Sequence, residues 1–327
     1  MRHPRPLLAG AAAAAAALLL TACGTSETTD AAPKGEKSSA ITLTDANGAT
    51  VRLDRPATKV VGTEWNVVES LVTLGVDPVG VADVKGYTAW DTAAPLTNSP
   101  KDIGTRGEPS MDTIAGLTPD LIVTTTDLSA SAVKQMKKIA PVLQVTSADA
   151  ADQVGQMTDT LDVIAEATGR QEAAKAAKKS YEAKVADGRK ALKDAGLDGS
   201  KIAFADGYAA SNQVSVRAYT SGSLVGAVNE DLGLRNAWKI KGDKDYGLAT
   251  TDVEGLTGLG DDVRFAYIGN KAETDVFTKD LADNSVWKSL SFVKSGDVHR
   301  LPDGVWMFGG PKSMEKYIDA VVSALTA

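Results

Sequence analysis

Cysteine occurs once and histidine twice in the 327 residues, and one of the histidines, His3, stands within the first ten. Without a second cysteine the chain forms no internal disulfide, so the fold is held by burial of its core. A zinc or manganese receptor needs several histidines and carboxylates converging on a bare ion, which His299 alone does not supply. The shortage bears on catalysis too: no Gly-x-Ser-x-Gly elbow is present, and the one cysteine, Cys23, is accounted for otherwise. A secreted hydrolase, the chief enzyme alternative, is thereby disfavoured, while a carboxylate-pair enzyme is not excluded by composition. Gly255, Gly258 and Gly260 lack both the Gly-x-Gly-x-x-Gly spacing and a Walker lysine, so no phosphate loop is expected. No block of Lys or Arg stands out and the formal net charge is −7, which argues against nucleic acid as a partner.

What the chain does have at its start is an address. Arg2 and Arg5 precede an apolar stretch, Leu7 to Leu20, that is too short to span a bilayer, and Leu20-Thr21-Ala22 leads into Cys23. Residues 1–22 read as a secretory leader. The Leu-Thr-Ala-Cys ending resembles the bacterial lipobox, which implies that Cys23 carries a diacylglycerol and anchors the protein on the outer face of the cell membrane. Residues 23–40 are polar with no large apolar side chain and read as a flexible tether.

Beyond the tether, Ile41–Thr44 and Thr50–Leu53 alternate around Asn47-Gly48, a hairpin signal. Short apolar runs at 59–63, 79–82, 121–125 and 142–145 then alternate with helical stretches at 66–74, 111–116 and 131–139, the pattern of a parallel sheet covered by helices. A second set of runs lies at 201–205, 214–217, 263–268 and 298–301. Between the sets a helical stretch steps through Val154, Met157, Leu161 and Ile164, with Gly169 as a stop before a second helix over 171–192.

The two sets look like copies. Asp112, Ile114, Leu117, Asp120 and Leu121 recur at the same spacing as Glu254, Leu256, Leu259, Asp262 and Val263. Upstream, Leu74-Gly75-Val76 is echoed by Leu232-Gly233-Leu234. The expected fold is therefore α/β, two similar lobes joined by a long rigid helix, with a ligand cleft between them. The corresponding boundaries are 41–148 for the N-terminal lobe, 149–168 for the interlobe helix and 169–327 for the C-terminal lobe.

Several segments carry a family resemblance in order: Val79 to Asp83, Tyr87 to Trp90, Asp102 to Pro109 and Leu117 to Val123, then Leu232 to Trp238, Val286 to Val298 and Trp306 to Gly309. Together they resemble the iron-siderophore class of periplasmic-binding proteins, most nearly the ferric hydroxamate-binding proteins, over essentially 41–327. The resemblance implies a class III periplasmic-binding fold, a ferric siderophore as ligand, and an ABC permease with its ATPase subunits as partners. It also implies no catalysis, no cofactor and no metal ligand from the protein, since the siderophore holds the iron. A monomer is expected. Cobalamin and haem receptors share the fold and remain alternatives.

A ferric hydroxamate already surrounds its iron with oxygens, so a receptor needs donors for those oxygens and apolar faces for the organic arms. Arg106 matches a family position that contacts ligand, and a guanidinium there offers a two-pronged donor; the plainer reading is a solvated arginine paired with Glu108. Trp90, Trp306 and Phe308 fall in Gly/Pro-flavoured stretches where the family lines its cleft, and Tyr246 occupies another such place. Ordinary core packing is the alternative for each. Tyr87, Trp65, Arg217 and Tyr219 complete the candidate set. A tyrosine donor of the hydroxamate-binding relatives has no counterpart here; the matching place is near Leu128, and Arg217, Tyr219 or Tyr208 would have to replace it. In the family one acid on each lobe meets the permease, and Asp112 and Glu254 match those positions. Both also read as first-turn acids behind N-caps Ser110 and Asp252, favoured by the helix dipole.

Overall fold

The computed structural model describes residues 40–210, 213–271 and 273–327; the expected leader, Cys23 and most of the tether lie outside the described residues. The chain opens on a hairpin of β1 (Ile41–Thr44) and β2 (Thr50–Leu53), with Thr44 opposite Thr50. Its turn is the expected one. Gly48 takes a φ of 77°, where glycine is favoured, and Asp45 Oδ1 accepts the N–H groups of Asn47 and Ala49. Leu43, Val51 and Leu53 point inward and close one side of the N-terminal core.

The N-terminal lobe then alternates strand and helix: β3 (Val60–Gly62), α1 (Trp65–Thr73), β4 (Gly80–Val81), α2 (Val84–Trp90), β5 (Lys101–Asp102), α3 (Met111–Leu117), β6 (Leu121–Thr125), α4 (Ala130–Met136) and β7 (Val142–Val145). The strands form one sheet in the order β5-β4-β3-β6-β7, and every pairing is parallel. Such a sheet is covered on both faces. Val60, Val61 and Leu121 through Val123 are accordingly without exposure, and their unbroken apolar run is what sequence periodicity registers.

Two helices cross from one lobe to the other. The first is α5 (Gln153–Thr168), which Asp152 caps by accepting the Gly155 N–H and Gly169 ends at a φ of 69°. The second is α6 (Gln171–Asp194). Its Ala174 and Ala177 pack into the core of β1, β3 and α1, whereas Tyr181 and Leu192 belong to the C-terminal core with Met157 of α5. Each lobe therefore grips both helices, which makes the connection a packed pair rather than a hinge strand.

The C-terminal lobe comprises β8 (Lys201–Ala210), β9 (Gln213–Tyr219), α7 (Leu224–Asp231), β10 (Arg235–Asn236) and β11 (Leu248–Thr251), then a 3₁₀ turn at Gly255–Gly258. It continues with β12 (Val263–Tyr267), α8 (Ser285–Ser289), α9 (Ser291–Ser295), β13 (Val298–Arg300) and α10 (Pro311–Thr326). The sheet runs β11-β9-β8-β12-β13, with β10 beside β8. Here the copy differs from the original. While β8, β12 and β13 are parallel, β9 pairs antiparallel with β8 and β11 pairs antiparallel with β9. The repeated acids do equivalent work at the strand starts: Asp120 accepts the Thr58 and Lys59 N–H groups, and Asp262 takes Lys201 Nζ at 2.8 Å.

Candidate functional site

A cavity of about 500 Å³ lies between the lobes, within the range of small-molecule sites. Its aromatic wall begins on the C-terminal side, in the loop between β13 and α10. There the chain alternates: Val305 and Met307 are buried in the C-terminal core, while Trp306 and Phe308 turn toward the cleft. Trp306 packs with Trp65, Val68, Val81 and Tyr87 of the other lobe. Its ring lies edge-on to Trp65 at 4.7 Å, to Phe308 at 5.1 Å and to Trp90 at 6.2 Å. Its Nε1–H is buried without a partner among the described residues, an unused donor in the wall. Phe308 in turn meets Tyr246 edge-on at 5.5 Å and stacks on Tyr219 at 5.9 Å.

Two guanidinium groups face the cavity from opposite lobes, and each already has a carboxylate. Arg106 sits at the tip of a loop pinched by a bridge between Gly104 and Pro109, with Gly104 at a φ of 98° and the wholly buried Ile103 as its anchor. Its guanidinium lies 4.1 Å from the Trp65 ring centroid, and Nη1 reaches Glu64 Oε2 at 3.2 Å. The partner is thus Glu64 at the cap of α1, not Glu108. Burial pushes the Glu64 carboxyl above the ordinary carboxylate range despite Arg106 beside it. Arg217 on β9 stands directly opposite Asp206 on β8. Arg217 Nε donates to Asp206 Oδ1 at 2.9 Å and Nη2 to Oδ2, while the Tyr219 hydroxyl donates to Oδ2 at 3.0 Å. Both arginine side chains keep about a third of their surface exposed, at 35% and 37%.

Tyr246 of the cavity wall ties the two lobes together. Asp243 accepts three N–H groups, from Asp245, Tyr246 and Leu248, which fixes the loop carrying Tyr246. The Tyr246 hydroxyl then donates to Asp127 of the N-terminal lobe. Asp127 is the neighbour of Leu128, which is itself buried in the N-terminal core.

Of the nine candidates from sequence, seven line the cavity: Trp65, Trp90, Arg106, Arg217, Tyr246, Trp306 and Phe308. Tyr219 does not; it is buried behind Phe308 and orients Asp206. Tyr87 does not either. It is without exposure, and its hydroxyl donates to the Ala94 carbonyl at 2.6 Å. Trp90 lies at the end of α2 rather than in a loop. Tyr208, 48% exposed, is on the wall. Sequence reasoning passed over Glu64, Asp206 and Asp127, the carboxylates that hold these donors. Only Asp206 left a trace: it faces Arg217 once β8 and β9 pair antiparallel.

Behind the wall a second pair of acids joins the lobes. Glu69, without exposure on α1, accepts the N–H groups of Gly310 at 2.7 Å and Ser313 at 2.8 Å at the start of α10. Asp91 lies beside it, accepting the Ala93 N–H at 3.1 Å, and is 1% exposed. Burial and the neighbouring Glu69 charge push the Asp91 carboxyl up to about 9, and its Oδ2 has no hydrogen-bond partner among the described residues. Glu69 itself is raised by burial.

Asp112 and Glu254 are both exposed, one on each lobe. Ser110 caps α3 as expected, accepting the Thr113 N–H at 3.3 Å. Asp252 accepts the Gly255 N–H at 2.9 Å, and Glu254 precedes the 3₁₀ turn rather than an α-helix. No group of three or more His, Cys, Asp or Glu among the described residues is placed to hold a metal ion.

Residues 60–304 match the model of a family described as periplasmic binding protein. An Fe(3+)-citrate-binding protein of Bacillus subtilis (strain 168) is 29% identical over 309 residues, covering 90% of this chain and 89% of that protein. An iron(3+)-hydroxamate-binding protein of Escherichia coli (strain K12) is 25% identical over 270 residues, 82% of this chain and 86% of that one. Among solved structures, a siderophore-binding protein of Vibrio cholerae bound to Fe3+-Desferal superposes with a TM-score of 0.74 at 24% identity. It covers 83% of this chain and 98% of its own.

Proposed function

The chain belongs to the periplasmic binding protein family, and we propose that it is the extracytoplasmic receptor for a ferric siderophore of the hydroxamate type, which it delivers to an ABC importer. The family is one of binding proteins, so no bond is made or broken by this chain. The observation that carries the ligand class is the pairing of each cavity arginine with a carboxylate, Arg106 with Glu64 and Arg217 with Asp206. A ferric trishydroxamate has no net charge in its core, because each hydroxamate brings one negative charge to ferric iron. A triscatecholate keeps three negative charges and would call for unpaired arginines. Donors whose charge is already balanced, set in an aromatic wall, suit the first. Relatives named for ferric hydroxamate and a neighbour bound to Fe3+-Desferal support the same reading.

In this account Arg106 and Arg217 donate to the coordinated oxygens from either side, and Trp65, Trp90, Trp306, Phe308 and Tyr246 cover the organic arms. Tyr219 acts through Asp206, and Tyr87 supports the Trp65–Trp306 contact from behind. Asp112 and Glu254 are the surface acids offered to the permease, one per lobe. Cys23 would hold the receptor to the membrane by a diacylglycerol, with 24–40 as its tether; the two acyl chains give firmer anchoring than one. The lobes are assigned to 41–148 and 169–327 with an interlobe helix in 149–168, and α6 at the start of the second range also reaches back into the N-terminal core.

Three of the five tryptophans stand in the cavity wall, so ligand entry should quench intrinsic fluorescence. Titration with a ferric trishydroxamate is expected to give saturable quenching at one equivalent, and a ferric triscatecholate, cobalamin and haem are expected to give none. Saturation by one of the latter with no response to the hydroxamate would replace the ligand class.

A further inference from the structure

The charged groups that line the cavity do not cancel. Arg106 and Arg217 are matched by Glu64 and Asp206, and Glu273 is left over. Glu273 is exposed and lines the cavity from the loop that follows β12, beside a smaller hollow that it shares with Arg300, and its carboxylate makes no hydrogen bond or ion pair with any described residue. Its neighbours are otherwise occupied. Asp275 accepts the Tyr267 hydroxyl at 3.0 Å and pairs with Arg300 at 3.3 Å, and Asp303 pairs with the same arginine at 2.6 Å. Lys271, the nearest lysine in sequence, is not among the residues lining the cavity. The backbone N–H of Glu273 donates to the Asn270 carbonyl at 2.9 Å, which holds the loop, and Asn270 Nδ2 reaches the Ala89 carbonyl next to Trp90 at 3.2 Å. The free carboxylate thus belongs to a loop seated against the N-terminal lobe at the aromatic end of the cavity.

From this imbalance we propose that the ligand carries a cationic arm, an alkylammonium, which Glu273 receives at the rim. The proposal rests on the ferric-hydroxamate reading and sharpens it: the preferred complex is a neutral trishydroxamate core with one protonated amine. The balanced arginines take the core oxygens. An arm that leaves the core past Trp90 brings its charge to the only unbalanced carboxylate among the described lining groups. A neutral complex of the same core fits the same wall but leaves that carboxylate solvated.

The test compares two iron complexes that differ in this charge alone: ferric Desferal, which ends in a primary amine, and its N-acetylated derivative. With purified wild-type protein at low ionic strength, the amine complex is expected to bind about fivefold more tightly, the scale of one solvent-exposed charge pair, with the ratio shrinking as salt is added. In Glu273→Gln the ratio of the two affinities is expected to fall to near one. Equal affinities in the wild type, or a preference that survives Glu273→Gln, would overturn the role of Glu273 and leave the receptor reading standing. Binding of neither complex would overturn both.

Discussion

Arg106→Ala is expected to weaken binding of the ferric hydroxamate by ten- to a hundredfold while moving the melting temperature by no more than a degree or two. The magnitude follows from what the guanidinium offers: charged hydrogen bonds to ligand oxygens contribute about 1.5–3 kcal/mol. Stability is spared because the Arg106–Glu64 pair is partly exposed, at 35% and 25%, and such pairs contribute little to folding. Removing the arginine leaves Glu64 without its partner, at a position where burial already raises its carboxyl. Arg106→Lys should recover only part of the affinity, since an ammonium keeps the charge but loses the planar fork stacked on Trp65. Equilibrium titration beside a thermal melt separates the two effects. An unchanged affinity would remove Arg106 from the site.

Glu69→Ala acts on the opposite quantity and is expected to cost about 3–5 kcal/mol of stability, because two buried N–H groups at the start of α10 lose their acceptor. For a chain of this size that corresponds to a fall of about 5–8 °C in melting temperature. Affinity should fall as well, since Gly310 directly follows the Trp306–Phe308 wall. The adjacent Asp91 predicts a pH dependence with a definite sign. Its carboxyl is raised to about 9 in the folded protein, so the folded state holds a proton that the unfolded state releases near the ordinary carboxylate value. Its contribution is fully present below about pH 4 and is lost as pH rises toward about 9. Asp91→Asn keeps the acceptor for Ala93 and Ala94 and needs no proton, so its melting temperature should gain on the wild type steadily between pH 5 and 9. The carboxylates lowered by partners, Asp243 and Asp262, titrate below this window and do not disturb it. Parallel pH profiles for the two proteins would contradict the raised Asp91 carboxyl.

How much of this the sequence carried depends on the range of the interactions. The Asn47-Gly48 hairpin and the strands at 121–125 and 142–145 lie where the pattern placed them, because turn chemistry and short, mostly apolar runs are local signals. The two-residue strands β5 and β10 and the polar β11 were not legible, since each exists only through pairing with a neighbour. Aromatic residues of the wall were visible by their rarity and place. Their partners were not: Glu64 lies 42 residues from Arg106, and Tyr246 meets Asp127 across 119. Tyr87 shows the limit most plainly. It sits three residues before Trp90 in the same short helix, yet its helical turn directs it into the core, where only the fold determines that Ala94 takes its hydroxyl.

The most direct test of the account is a crystal structure of the protein with a ferric trishydroxamate. Iron is expected between the lobes, with hydroxamate oxygens within hydrogen-bonding distance of Arg106 and Arg217 and the organic arms against Trp306 and Phe308. Iron bound elsewhere on the molecule, or a complex in which neither guanidinium touches the ligand, would contradict it.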